Sequence, residues 1–219
     1  MAKNTDIPYN HELLRKGIHL ISLSIPVGYA IFDRETALYI LIPLTILFLT
    51  VDISRRHNEY VARMLYKYFG NIFRPHEMTD GFVLNGASWV LLSAVMTILI
   101  FPKIIAVTAF TILIISDICA ALIGRKWGRT PLFGKSVEGT MAFIISAILV
   151  IIAIGLMTAA PMSYYITGII ASIIGGIVEA GSKSLDVDDN LSIPVSVGLV
   201  MWLGGIIAAS YSMSFLQVM

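Results

Sequence analysis

Apolar residues run along the chain in seven blocks, at about 17–32, 36–51, 83–101, 104–123, 140–158, 162–180 and 191–212. Each block is long enough to cross a bilayer, upright or tilted, since a spanning helix needs roughly 20 apolar residues. The polar interruptions are compact: Asp33-Arg34-Glu35, the stretch 52–80, Phe101-Pro102-Lys103, Gly124 to Gly139, Ala160-Pro161 and Gly181 to Asn190. This pattern predicts an all-α integral membrane protein of about seven transmembrane helices, with residues 1–219 forming one domain. Asp6, His11 and Glu12 precede any apolar block, so no cleavable signal peptide is expected.

Charge orients the blocks. Thirteen of the fifteen Lys and Arg fall in the N-terminal arm (Lys3, Arg15, Lys16), the 52–80 connection (Arg55, Arg56, Arg63, Lys67, Arg74), the 124–139 connection (Arg125, Lys126, Arg129, Lys135) and at Lys183. Only Arg34 and Lys103 fall on the other side, which predicts a cytoplasmic N-terminus and an outside C-terminus. Twelve of the fourteen acids share the basic side, with Asp33 and Glu35 opposite. Orientation alone needs only cations. Carboxylates gathered with them imply a site that holds anions and cations together.

Composition narrows the chemistry further. At 57% hydrophobic and 13% charged, the chain has no room for a separate soluble catalytic domain, so any reaction must occur at the membrane surface or between helices. A net charge of +1 offers nothing to a nucleic-acid partner. The single Cys119 lies in an apolar block, which argues against disulfides or a cysteine-ligated metal. Between Tyr60 and Phe73, aromatic residues are mixed with Arg63 and Lys67, so the 52–80 connection is expected to contain an interfacial helix. No internal repeat is visible, and ionisable residues cluster at the cytoplasmic ends of the blocks. Both features lower the reading of a transporter of an anionic solute.

Four clusters carry candidate chemistry. In the first, Asp117, Ala120, Gly124 and Gly128 share one helical face, giving a carboxylate followed by nearly bare backbone beside Arg125, Lys126 and Arg129. That strip admits another helix or a polyphosphate. Lys135-Ser136 follows, where Ser136 is placed to cap the next helix and the helix N-terminus to attract an anion. The spacing does not match a P-loop. A carboxylate at the end of a span points to function by default, which singles out Asp117.

The second cluster is Arg15-Lys16 with His19 one turn into the first block, and the third is Asp52 with Arg55. Glu77 is a weaker candidate. In the fourth, Glu179, Asp186, Asp188 and Asp189-Asn190 lie on the basic side. Glu179, Asp189 and Asn190 stand nearest the membrane, and a solvated loop accounts for Asp186 and Asp188. Carboxylates with a phosphate-binding helix end suit Mg²⁺ and nucleotide-dependent phosphoryl transfer. The acceptor is expected to be a lipid, because the site abuts the bilayer.

Arg15-Lys16-x-x-His19, the run from Asp117 through Ala120 and Gly124 to Gly128, Lys135-Ser136-x-Glu138-Gly139, and Glu179 followed by Asp189-Asn190-x-x-x-Pro194 resemble the CTP-dependent lipid kinases. That family includes dolichol (polyprenol) kinases, phytol kinases and CTP-dependent diacylglycerol kinases. The resemblance extends from about residue 11 to 200. It implies an enzyme of the cytoplasmic membrane, its active site on the cytoplasmic face, that uses CTP and Mg²⁺ to phosphorylate a lipid alcohol.

Carried over residue by residue, Asp117, Lys135, Glu138 and His19 would be catalytic, with Glu138 orienting Lys135 or helping to bind metal. Gly124, Arg125, Gly128, Lys135, Ser136, Gly139 and Asn190 would bind nucleotide. Asp117, Glu179 and Asp189 would hold the metal, and Arg15, Lys16, His19, Asp52 and Arg55 would meet phosphate or the lipid headgroup. A phosphatidate cytidylyltransferase shares similar Gly-rich and Lys-x-x-Glu-Gly elements, but the later Gly-His-Gly-Gly segment usual in that family does not follow Asp189-Asn190. Oligomeric state is not legible in the sequence.

Overall fold

The computed structural model of the chain describes residues 9–69, 84–182 and 187–219. Within them the helices are α1 Tyr9–Ile21, α2 Ser24–Ile31, α3 Arg34–His57, α4 Glu59–Phe69, α5 Gly86–Ile100, α6 Lys103–Trp127, α7 Val137–Met157, α8 Met162–Gly181 and α9 Asp189–Ser210. A two-stranded antiparallel hairpin, β1 Pro131–Leu132 and β2 Lys135–Ser136, joins α6 to α7. The described residues are therefore all-α in their regular structure apart from this hairpin. Among the described residues five helices, α3, α6, α7, α8 and α9, are long and apolar enough to cross a membrane.

The first apolar block departs from the single helix expected of it. It breaks at Ser22-Leu23, because Pro26 has no N–H for the Ser22 carbonyl and its ring would crowd that oxygen in a continuous helix. The Ser22 carbonyl instead accepts from the Ile25 N–H at 2.9 Å. The third block yields α5, whose 15 residues make a helix of about 22 Å at 1.5 Å per residue, less than the roughly 30 Å of a hydrocarbon core. Its start is set by Asn85, which accepts from the Ser88 N–H at 2.9 Å. Within residues 52–80, α4 exposes Tyr60, Met64 and Tyr68 one turn apart.

At the centre stands α6, in contact with α1, α2, α5, α7 and α9. Of its apolar stretch, 72% is buried, against 22% for α3, whose exposed Ile40, Leu44 and Leu47 suit contact with lipid. Facing residues follow helical spacing: Phe143, Ala147 and Ile151 on α7, and Ile193, Val197 and Met201 on α9, are all fully buried. At the end of the bundle opposite the 124–139 connection, Arg34 donates to the Leu99 carbonyl and Lys103 lies 5.6 Å from the Tyr29 ring centroid. The two basic residues isolated on that side thereby tie α2 and α3 to α5 and α6.

Beyond α9 the chain turns back over α8. The Met213 carbonyl accepts from Ser163 Oγ at 2.5 Å, and the buried Phe215 ring meets Tyr164 edge-on at 5.5 Å. The Tyr164 hydroxyl shares a hydrogen bond of 2.8 Å with Thr108 of α6, so the polar end of this aromatic side chain is satisfied inside the core.

Candidate active site

Asp117 sits ten residues before the end of α6, within the bundle, where an unpaired carboxylate would be costly. Its partner comes from the other end of the sequence. Lys16 of α1, itself buried, donates to Asp117 Oδ2, and His19 one turn further along α1 brings Nε2 to 3.7 Å of the same oxygen. Among the described residues, His19 Nε2 has no hydrogen-bond partner.

A second pair lies beside the first. Lys135, reaching inward from β2, donates to Glu179 Oε1 near the end of α8, and its Nζ stands 3.7 Å from Asp189 Oδ2 at the start of α9. Burial alone would lower the pKa of the Lys135 ammonium. The fields of Asp189, Glu179 and Asp117, with the hydrogen bond to Glu179, outweigh that and hold it above the usual lysine value. Glu179 is 3% exposed, and its Oε2 has no hydrogen-bond partner among the described residues. The middle of α6, the end of α8, the start of α9, a hairpin and α1 thus converge on three carboxylates, two ammonium groups and an imidazole.

The glycines do their work just beyond. A Cβ on Gly128 would press on the Gly124 carbonyl and stand 2.6 Å from Ser136 Oγ and 2.8 Å from Ser136 Cβ; one on Gly139 would stand 3.0 Å from the Ala120 carbonyl. The strip on α6 therefore accepts the start of α7 at backbone distance. Gly128→Ala should force these segments apart and cost about 1–3 kcal/mol, read as a fall in thermal stability in detergent. Gly17→Ala, with nothing within 4 Å of its Cβ, should cost no stability.

Ser136 caps α7 as expected, accepting from the Gly139 N–H at 3.2 Å. The N–H groups there are less open than the sequence suggests. That of Val137 already donates to the Thr130 carbonyl at 2.9 Å, so a phosphate would meet a helix start partly satisfied by protein. Glu138 also differs from expectation. It accepts from the Thr130 N–H at 3.2 and 3.3 Å and from the Thr130 hydroxyl at 3.2 Å, while Lys135 is held by Glu179 and Asp189 instead.

The remaining sequence-derived candidates sit in varied surroundings. Asp52 is fully buried and accepts from Arg55 Nε at 2.5 Å and from the Asn85 N–H at 2.7 Å, a tie between α3 and the start of α5. Arg125 is exposed at the end of α6, and Arg15 is half-buried on α1. Asn190 is buried, with its N–H and Nδ2 donating to Asp188 Oδ1 at 2.9 and 2.8 Å. Asp188 is thus the N-cap of α9 and not merely part of a solvated loop, a role its place before an apolar run signals. Glu77, Asp186 and Lys183 lie outside the described residues.

A buried array of lysines and carboxylates in a bundle with five helices long and apolar enough to cross a membrane is consistent with a polytopic membrane protein. The chain belongs to one family with the uncharacterized protein RP860 of Rickettsia prowazekii, to which it is 34% identical over 86% of this chain and 92% of that one. It is also similar to two proteins named CTP-dependent diacylglycerol kinase 1. The one from Schizosaccharomyces pombe is 28% identical over 70% of this chain and 74% of its own length, and that from Saccharomyces cerevisiae 27% over 90% and 74%. No protein-family model and no solved structure matches the chain.

Proposed function

We propose that the chain transfers the γ-phosphoryl group of CTP to the hydroxyl of a membrane lipid alcohol, giving CDP and a lipid monophosphate. The observation that carries this reading is the convergence of Asp117, Glu179 and Asp189 with Lys16, Lys135 and His19, in a chain similar over most of its length to proteins named CTP-dependent diacylglycerol kinases. Phosphoryl transfer asks a protein chiefly for positioning and charge, which this array supplies.

The donor set fits Mg²⁺. It offers hard carboxylate oxygens, and Glu179 Oε2 is buried without a hydrogen-bond partner among the described residues. Asp117, Glu179 and Asp189 would hold the ion, which offsets charge on the transferring group when bound. Among the described residues no three His, Cys, Asp or Glu side chains form a metal cage. Mg²⁺ commonly completes a shell of one or two carboxylates with phosphates and water.

Lys16 and Lys135 each release a carboxylate and take up phosphate oxygens as the nucleotide enters. His19 Nε2 receives the proton of the lipid hydroxyl. Gly124, Gly128, Ser136, Gly139, Arg125 and Asn190 border the triphosphate, and Arg15 adds positive charge beside Lys16. The seven apolar blocks cross the cytoplasmic membrane with the N-terminus and the site on the cytoplasmic face, and α4 lies along that surface.

The test is the purified chain in lipid nanodiscs with CTP labelled in the γ-phosphate, against diacylglycerol, polyprenols including dolichol, phytol and geranylgeraniol. Labelled lipid monophosphate and stoichiometric CDP are expected for one of them. Release of pyrophosphate would replace the reading by a cytidylyltransferase, and absence of CTP consumption with every acceptor would overturn it.

A further inference from the structure

The proposed reaction leaves Asp52 and Arg55 without a part, yet both are buried, at 0% and 5% exposed. They stand three residues apart on α3, and Arg55 Nε donates to Asp52 Oδ1 at 2.5 Å. As a stabilising device such a pair gains little. Removing two charges from water costs about what their attraction returns, and apolar side chains of similar size often serve as well. An apolar pair could not, however, accept a hydrogen bond. The second carboxylate oxygen, Asp52 Oδ2, accepts from the N–H of Asn85, the residue that caps α5, at 2.7 Å.

That contact begins a path toward the site. Asn85 fixes the first turn of α5 by accepting from the Ser88 N–H at 2.9 Å. Gly86, the first residue of α5, stands against α9, where a Cβ on it would lie 3.9 Å from Asn190 Nδ2. The same Asn190 amide donates to Asp188 Oδ1 at 2.8 Å, and the Asn190 N–H donates to that oxygen at 2.9 Å. Asp189 lies between these two residues in the chain, and its Oδ2 is 3.7 Å from Lys135 Nζ. Every link is a direct contact or a peptide bond. The end of α3 is thereby tied, through the start of α5, to the start of α9.

The geometry points to Asp52 as a positioning residue: by holding the start of α5 against Asn190, it sets where Asp189 meets metal and CTP. Groups that hold a metal ligand in place from behind are commonly worth about 10- to 100-fold in affinity. This role rests on the proposed binding of metal and CTP at Asp189 and Lys135, but not on turnover. It replaces direct contact with phosphate or a lipid headgroup as the part played by Asp52 and Arg55. The test uses the full chain in nanodiscs and reads equilibrium binding of labelled CTP at a fixed Mg²⁺ concentration, alongside the thermal transition.

Asp52→Leu combined with Arg55→Met removes the acceptor for Asn85 without stranding a buried charge, and should keep most of the thermal stability. Its CTP affinity should fall about tenfold. Gly86→Leu adds a side chain at the junction with Asn190 while leaving Asp52 intact, and should weaken CTP by a similar factor. Gly86→Ala, whose Cβ makes only ordinary contact, should bind as wild type does. With all three changes at positions 52, 55 and 86 the loss should be smaller than the product of the separate factors, because both lesions act on one path. Wild-type CTP affinity in the folded Asp52→Leu, Arg55→Met variant overturns the inference and leaves the pair as a fastening of α3 to α5. A loss equal to the product also overturns it, since the two lesions would then act by separate routes. So does an effect confined to the KM for lipid, which would return Asp52 and Arg55 to the headgroup. Gly86→Leu keeps the inference falsifiable if the double variant fails to fold, for unchanged CTP affinity there removes the junction from the site. Wild-type protein that binds CTP without consuming it would remove the kinase reading and leave the positioning role standing.

Discussion

Asp117→Asn is expected to abolish lipid phosphorylation, lowering turnover by about 10³-fold or more, while the protein still inserts and purifies. The change keeps the shape of the side chain and removes its charge. Lys16 would then face a neutral amide at a buried position, and an uncompensated buried charge costs about 3–5 kcal/mol. Activity and stability should therefore fall together in the single variant. Adding Lys16→Gln separates them: the double variant should recover much of the thermal stability and none of the turnover. Near-normal turnover in Asp117→Asn would remove this carboxylate from the reaction.

Lys135→Ala should weaken nucleotide binding most. A hydrogen bond to a charged group is worth about 1.5–3 kcal/mol, so the KM for CTP should rise about 10- to 100-fold, with a smaller change in the KM for lipid. Glu179 and Asp189 would lose the cation they share, and the thermal transition should fall as well. Unchanged kinetics would exclude Lys135 from the phosphate site.

The pH dependence follows from the raised pKa of this ammonium. A cation whose pKa is higher folded than unfolded contributes its full stability below the unfolded value and loses it as pH rises through the folded one. The stability difference between wild type and Lys135→Ala should thus stay flat through neutral pH and shrink only at strongly alkaline pH. A difference that changed between mildly acidic and neutral pH would place the titration on another group.

The helices themselves were legible in the amino-acid order, because helix formation and transfer into a bilayer depend on composition over one or two dozen neighbouring residues. Each of the seven apolar blocks contributes helix among its described residues, the first of them as two short helices, and Ser136 caps α7. Even the break at Ser22-Leu23 had its signal in Pro26, masked by the hydrophobicity of the residues around it. Asp117, Lys135, Glu179 and Asp189 stood out as ionisable residues at the margins of apolar blocks.

Their pairings did not. Lys16 meets Asp117 across 101 positions, and Lys135 meets Glu179 across 44. Nothing in either neighbourhood of the sequence states those pairings, and Glu138, three residues from Lys135, was the nearer candidate. The choice was made by packing: α1 lies against α6, and the bare backbone at Gly124, Gly128 and Gly139 brings the start of α7 against the end of α6. The hairpin just before α7 then directs Lys135 toward α8 and α9. Local hydrophobicity determined which segments are helices; the close approach of those helices decided which charges neutralise one another, because an ion inside a bundle must find its counterion on whatever helix lies beside it.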